Sequence, residues 1–377
     1  MTTADKNNKQ RLASLDALRG FDMFWILGGQ ALFAALFVLT GWQGWKAFEA
    51  HTVHVPWHGF TFYDLIFPLF IFLSGVAMGL NPKRIDHLPL PERMVFYNKA
   101  LKRVAILIGL GVLYNHGWGK GVPMNYDEVR FASVLGRIAL AWFVAAMLVW
   151  HTSLRTQAMV ALTILIGYWI WLCFIPVPGG EAGQLTPEGS WNAWVDQHLL
   201  PGMIYRNGPM DPEGLLSQIP AVANAILGVF AGQLIAKAQH YGQWRVTAML
   251  FIAGVIALAL GWLWDMAFPV NKRLWSSSFV LVTVGWSAML LAVFYAVVDV
   301  LNCKKWAYPF VVIGANSIII YLASSLVSWG HISKSVFGGV IRAVGESWQP
   351  LVAVLAVLLV QLLVLHWMYK RKIFVSV

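Results

Sequence analysis

Three histidines, His51, His54 and His58, fall within eight residues, and one carboxylate follows in Thr61-Phe62-Tyr63-Asp64-Leu65-Ile66-Phe67-Pro68. A neutral imidazole near pH 7 can accept a proton or an acyl group, so a base or a nucleophile is one reading of this cluster. Its H-x2-H-x3-H spacing lacks the HExxH pattern or the cysteines that mark zinc, so no metal is expected. The third reading is that histidines beside Trp45 and Trp57 form part of an interfacial aromatic belt. Asp64 also has two readings. It compensates the dipole of a first helical turn, or it holds a nearby histidine in one tautomer and stabilises its cation.

Other polar groups stand apart from the apolar background. Asp211-Pro212-Glu213-Gly214 reads as a helix cap with Pro at the first helical position, and it also sets two carboxylates where they could attract a cationic amine. Arg137, within an apolar stretch, costs about 2.5–3.5 kcal/mol to insert and so needs a carboxylate or an anionic ligand as partner. Asp16, Arg19, Asp22 and Asn316 at helix ends and depths are expected to face a bundle interior. Lys83, Arg84, Arg93, Lys99, Lys102 and Arg103 crowd one connecting segment, where they could hold phosphates, although topology alone also explains them. The glycines around 109–121 match no phosphate loop. Cys173 and Cys303 have neither disulfide nor metal spacing.

The elements that must position these groups are membrane helices. With 59% hydrophobic and only 12% charged residues, the chain departs from the roughly 25% charge of soluble domains, which excludes a water-soluble globular enzyme. Charge-free stretches at 23–45, 65–82, 104–119, 138–154, 156–180, 214–236, 246–264, 274–298, 306–333 and 347–369 predict about ten spans of the length a bilayer demands. An all-α polytopic bundle in one domain, 1–377, is expected. Placing both termini inside puts eighteen basic residues inside and eight outside, so N-in and C-in follows from the positive-inside bias. That bias accounts for the net charge of +10 without nucleic acid. Residues 41–62, 118–136, 176–213, 265–274 and 330–346 are then outer. The polar stretch Met1–Lys9 has no apolar leader, leaving targeting to the first membrane helix.

Taken in order, Ser14-Leu15-Asp16-Ala17-Leu18-Arg19-Gly20, His54-Val55-Pro56-Trp57-His58-Gly59 running into Asp64, Leu135-Gly136-Arg137, Asp211 to Gly214, Pro269-Val270-Asn271-Lys272 with Leu274-Trp275-Ser276, and Gly314-Ala315-Asn316-Ser317 with Tyr321 resemble the heparan-α-glucosaminide N-acetyltransferase family and its bacterial relatives. The resemblance implies a membrane enzyme carrying acetyl from cytosolic acetyl-CoA to a glucosamine amine on the opposite side. It implies His54 as the catalytic histidine and leaves open whether His58 shares the work; Asp64 and Asn316 are further catalytic candidates. Arg137, Gln30, Lys102 and Arg103 are expected toward the coenzyme, and Trp57, Asp211, Glu213, Asn271 and Lys272 toward the sugar. Asn316 or Gln30 could donate to a developing oxyanion. The length resembles a compact bacterial inner-membrane branch, and a homodimer stays open. An amino-sugar transporter, or an acyltransferase for another glycan, is the alternative. So is the choice between an acetyl-histidine intermediate and direct transfer.

Overall fold

The computed structural model describes residues 12–375; the polar stretch Met1–Lys9 lies outside them. Among the described residues the elements are helices: α1 Ala13–Phe24, α2 Ala31–Thr40, α3 Gly44–Ala50, α4 Phe62–Gly79, α5 Leu90–Asn115, α6 Val134–His151, α7 Leu154–Phe174, α8 Trp191–Leu199, α9 Gln218–Ala236, α10 Gln243–Asp265, α11 Ser277–Phe294, α12 Tyr308–Ala315, α13 Ser317–Leu326, α14 Trp329–Ala343 and α15 Gln349–Lys370, with shorter turns between. Among the described residues seven spans are long and apolar enough to cross a bilayer, or nine if each of two bent pairs counts as one. The chain is an all-α integral membrane protein.

The expected third span, 104–119, is the apolar half of α5. That helix has 26 residues, about 39 Å at 1.5 Å each, and its first half carries Arg93, Lys99, Lys102 and Arg103. The predicted basic loop is therefore largely helical, which a search for charge-free windows could not see. For the same reason α3, α8 and α14 occupy stretches expected as outer connections.

Lipid is as apolar as leucine, so membrane helices associate through close packing rather than through the hydrophobic effect. Two small-residue pairs supply that closeness between α4 and α9: Gly75 with Gly79, and Gly228 with Gly232. A methyl group added at Gly228 would stand 2.1 Å from the Phe72 carbonyl oxygen, and one at Gly75 would stand 2.0 Å from that of Ala225. This contact anchors the helix that carries Asp64.

Two helices are broken. Gly28, with φ of 125°, sits in the π-helical turn that ends α1, and the following α2 is bent from it by 55°. At Asn316, α12 and α13 meet at 75°. Irregular backbone at membrane depth is tolerated where it is buried in protein or lines a cavity. Here Ile26 and Gly314, Ala315, Ser317 and Ile318, beside the two breaks, line one cavity.

Candidate active site

Asp64 begins the site. It is fully buried at the third position of α4, where its Oδ2 accepts from the Thr61 backbone N–H at 3.1 Å and the Thr61 hydroxyl at 3.0 Å, forming a capping box. Its Oδ1 lies 2.7 Å from His54 Nδ1. A carboxylate only accepts, so Nδ1 carries the hydrogen and Nε2 holds the lone pair. The two readings of Asp64 thus coexist in one side chain: one oxygen caps the helix and the other orients the imidazole. Tyr63 flanks the ring, with centroids 4.8 Å apart.

Lys272 arrives from the connection after α10. Asn271 builds its turn, with Oδ1 accepting from Leu274 N–H at 2.9 Å and its own N–H donating to Ser276 Oγ at 3.0 Å. Trp275 takes a left-handed φ of 53° there and is locked by its indole N–H on Asn224 Oδ1 at 2.9 Å. The turn sets Lys272 Nζ 3.0 Å from His54 Nδ1, 3.1 Å from Nε2 and 3.5 Å from Asp64 Oδ1. These nearly equal distances set the ammonium over the imidazole ring rather than along the in-plane lone pair of Nε2. Burial pushes the Lys272 ammonium below its usual range, against the opposing charges of Asp64 and Glu213.

His54, Tyr63 and Lys272 share a cavity of about 390 Å³, within the range of small-molecule sites. Its walls carry His54, Tyr63, Tyr114, Glu213, Tyr321 and Lys272 toward one end and Arg19, Ser74 and Arg103 toward the other, with Met23, Ile66, Phe67, Phe70, Leu107 and Ile138 among the apolar residues. Two helices measure it. From Tyr63 to Ser74 on α4, and from Arg103 to Tyr114 on α5, eleven residues correspond to about 16 Å. Arg19 donates to the Leu73 carbonyl at 3.5 Å, which fixes it at the Ser74 level. Arg103 stacks 4.1 Å from the Trp142 ring, and its buried Nε–H has no partner among the described residues. Tyr114 and Tyr321 stack face to face at 4.3 Å.

Arg130, which sequence reasoning passed over, organises the carboxylates. It grips Asp211 through Nε at 2.8 Å and Nη2 at 2.6 Å, and reaches Glu213 at 2.5 Å. Burial alone would lower its guanidinium, but the Asp211 bond and both carboxylate charges hold it above the ordinary value. Asp211 is consumed by this pairing, whereas Glu213 still lines the cavity. Asp196, also overlooked, accepts the Asp211 and Leu215 N–H groups at 3.0 and 2.9 Å; burial, then Asp211, push its carboxyl up to about 6. Only their fold contacts reveal these two, since neither lies in a distinctive motif.

Several expected residues stand elsewhere. His58 pairs with Asp265 at 2.8 Å on the surface rather than lining the cavity. Asp265 also accepts from Val270 N–H at 2.6 Å, and Gly59 N–H meets the Val270 carbonyl at 2.9 Å, so His58 helps pin the histidine loop to the Lys272 loop. Asn316 spends both ends of its amide on the C-terminal segment, donating to the Ile373 carbonyl at 3.0 Å and accepting from Val375 N–H at 3.1 Å. Among the described residues Arg137 has no carboxylate at ion-pair distance; it donates to the Pro212 carbonyl at 2.9 Å and to Ser217 Oγ, and lies 4.5 Å from the Trp275 ring. Neither it nor Gln30, Lys102, Trp57 or Asn271 lines the cavity. Trp57 donates to the Leu185 carbonyl at 2.9 Å, and Lys102 faces outward. Among the described residues no three His, Cys, Asp or Glu side chains converge as metal ligands.

No family model matches the chain. It is 30% identical over 375 residues to heparan-alpha-glucosaminide N-acetyltransferase of Mus musculus, covering 86% of this chain and 56% of the mouse protein. It is 29% identical over 362 residues to the protein of the same name from Homo sapiens, covering 83% and 52%. The chain thus spans about half the length of the curated relatives it matches.

Proposed function

The chain is a relative of the heparan-alpha-glucosaminide N-acetyltransferases, and on that kinship we propose that it moves acetyl from acetyl-CoA across a membrane to the amine of a glucosamine-type sugar, with His54 as the base. The observation that carries this reading is one cavity with guanidinium groups at one end and His54, held from behind by Asp64, at the other. Coenzyme A has phosphates that guanidinium groups bind well. Its pantetheine arm is built like about four residues and extends about 14 Å, close to the 16 Å between the two ends. The apolar middle suits the arm and keeps water from the thioester.

At the far end, His54 Nε2 takes a proton from the acceptor amine as its nitrogen attacks the thioester carbonyl. Asp64 holds the ring and stabilises the imidazolium. The Lys272 ammonium stands close enough to favour the oxyanion, and Glu213 offers a carboxylate to an incoming ammonium. Carbon–sulfur cleavage then leaves the amide and a thiolate that takes one proton. The positive-inside bias supports a cytoplasmic Arg19 and Arg103 end, and a bacterial inner membrane suits that arrangement.

A continuous cavity would also serve an amino-sugar transporter. Purified protein given acetyl-CoA and glucosamine in detergent separates the readings. N-acetylglucosamine should form, and His54→Ala should slow it by about 10²–10⁴-fold. Unchanged sugar, with acetyl-CoA intact, would favour transport and overturn the proposal.

A further inference from the structure

Lys272 is a primary amine held beside the histidine that an acceptor amine would have to reach. Its Nζ is 3.0 Å from His54 Nδ1 and 3.1 Å from Nε2, within the distance range for proton transfer, and it lines the same cavity as Arg19 and Arg103. The Asn271–Ser276 turn and the Gly59–Val270 bond fix the backbone that delivers it. Its side chain is 17% exposed, whereas Lys46, Lys304 and Lys305 are on the surface. Burial lowers its proton affinity, so the nucleophilic neutral amine is more accessible than on an exposed lysine.

Resting on the acetyltransferase reading, we propose that Lys272 is a self-acetylation site, taking the acetyl group from bound acetyl-CoA when no sugar occupies the acceptor end. The thioester C–S bond breaks and an Nζ–C amide bond forms. The ammonium loses two protons: one reaches the leaving thiolate, and the other passes through His54 to solvent. The product is neutral and bulkier. It ends the Lys272–Asp64 attraction and fills the space beside Nε2, so transfer to sugar falls while donor is abundant and acceptor is scarce.

The test incubates the full-length protein in detergent with acetyl-CoA labelled in its acetyl group, with and without glucosamine, followed by peptide mass spectrometry and a parallel assay of sugar acetylation. Label should enter Lys272 about 10²-fold faster than Lys46, Lys304 or Lys305, the low end of general-base assistance. Glucosamine should suppress it in the wild-type protein, and His54→Ala should abolish it. Pre-acetylated protein should acetylate glucosamine more slowly than untreated protein. Equal labelling of the exposed lysines, label on His54 instead, or glucosamine turnover with no label on Lys272 would overturn the proposal while leaving the acetyltransferase reading intact. Neither label nor turnover would overturn both.

Discussion

Asp64→Asn isolates the orienting role of the carboxylate from its capping role. The Oδ2 side can keep an oxygen against the Thr61 N–H and hydroxyl, at 3.1 and 3.0 Å. The other branch, now an NH2 group 2.7 Å from His54 Nδ1, would oppose donor to donor. The ring escapes by moving its hydrogen to Nε2, which removes the lone pair facing the cavity. Loss of a general base costs about 10²–10⁴ in rate, or about 2.7–5.4 kcal/mol of barrier at 1.36 kcal/mol per tenfold. KM for acetyl-CoA should hardly move, because Arg19 and Arg103 lie about 16 Å away along α4 and α5. Stability should also hold better than in Asp64→Ala, which loses the cap at about 1 kcal/mol. Steady-state kinetics in detergent, paired with thermal unfolding, read both quantities. A kcat within about threefold of wild type in a folded Asp64→Asn protein would refute the tautomer argument.

Replacing Arg103 by Gln should raise KM for acetyl-CoA about 10–100-fold, the loss of a charge-assisted hydrogen bond, with little change in KM for sugar; equal effects on both substrates would misplace the donor end. Gly228→Val must displace α4 from α9, because its first added carbon meets the Phe72 carbonyl at 2.1 Å. A loss of at least about 1–3 kcal/mol in thermal or denaturant unfolding is expected. Asp196 supplies a pH signature. Its folded carboxyl is raised to about 6, so the fold holds the proton more tightly than the unfolded chain does, and the resulting stability is present at low pH and lost as pH rises through about 6. A rise of about two units from the ordinary carboxylate value corresponds to about 3 kcal/mol. Thermal midpoints of wild type should therefore fall between about pH 4 and pH 6 relative to those of Asp196→Asn; parallel curves would contradict the assignment.

Much of the architecture was legible because lipid imposes a single requirement, long charge-free helices, that composition registers directly. What it hid were helices that carry charge, such as the first half of α5, and helices broken at depth, as at Gly28 and Asn316. At the candidate site, His54 and Asp64 were visible because ten residues of one connection bring them together. Lys272 was visible only as part of a motif, since its approach to His54 spans 218 residues of sequence. Arg130 was invisible for the same reason: an arginine in a connection has no signature until the fold sets it against Asp211 and Glu213. Asn316 and Arg137 looked functional because buried polar groups in membranes often are; the C-terminal segment takes up the Asn316 amide, and Arg137 uses one nitrogen on the Pro212 carbonyl and Ser217 beside the Trp275 face.

In the proposed reaction acetyl crosses the bilayer through one cavity with His54 at its acceptor end. Sealed vesicles carrying the reconstituted protein, with labelled acetyl-CoA confined to the lumen and glucosamine confined to the bath, measure it in one step, because protein inserted with its arginine end inward can use only the luminal donor. Labelled N-acetylglucosamine should appear in the bath for wild type and be reduced about 10²–10⁴-fold for His54→Ala. Labelled product that forms only when both substrates share a compartment, or that His54→Ala leaves unchanged, would contradict the account.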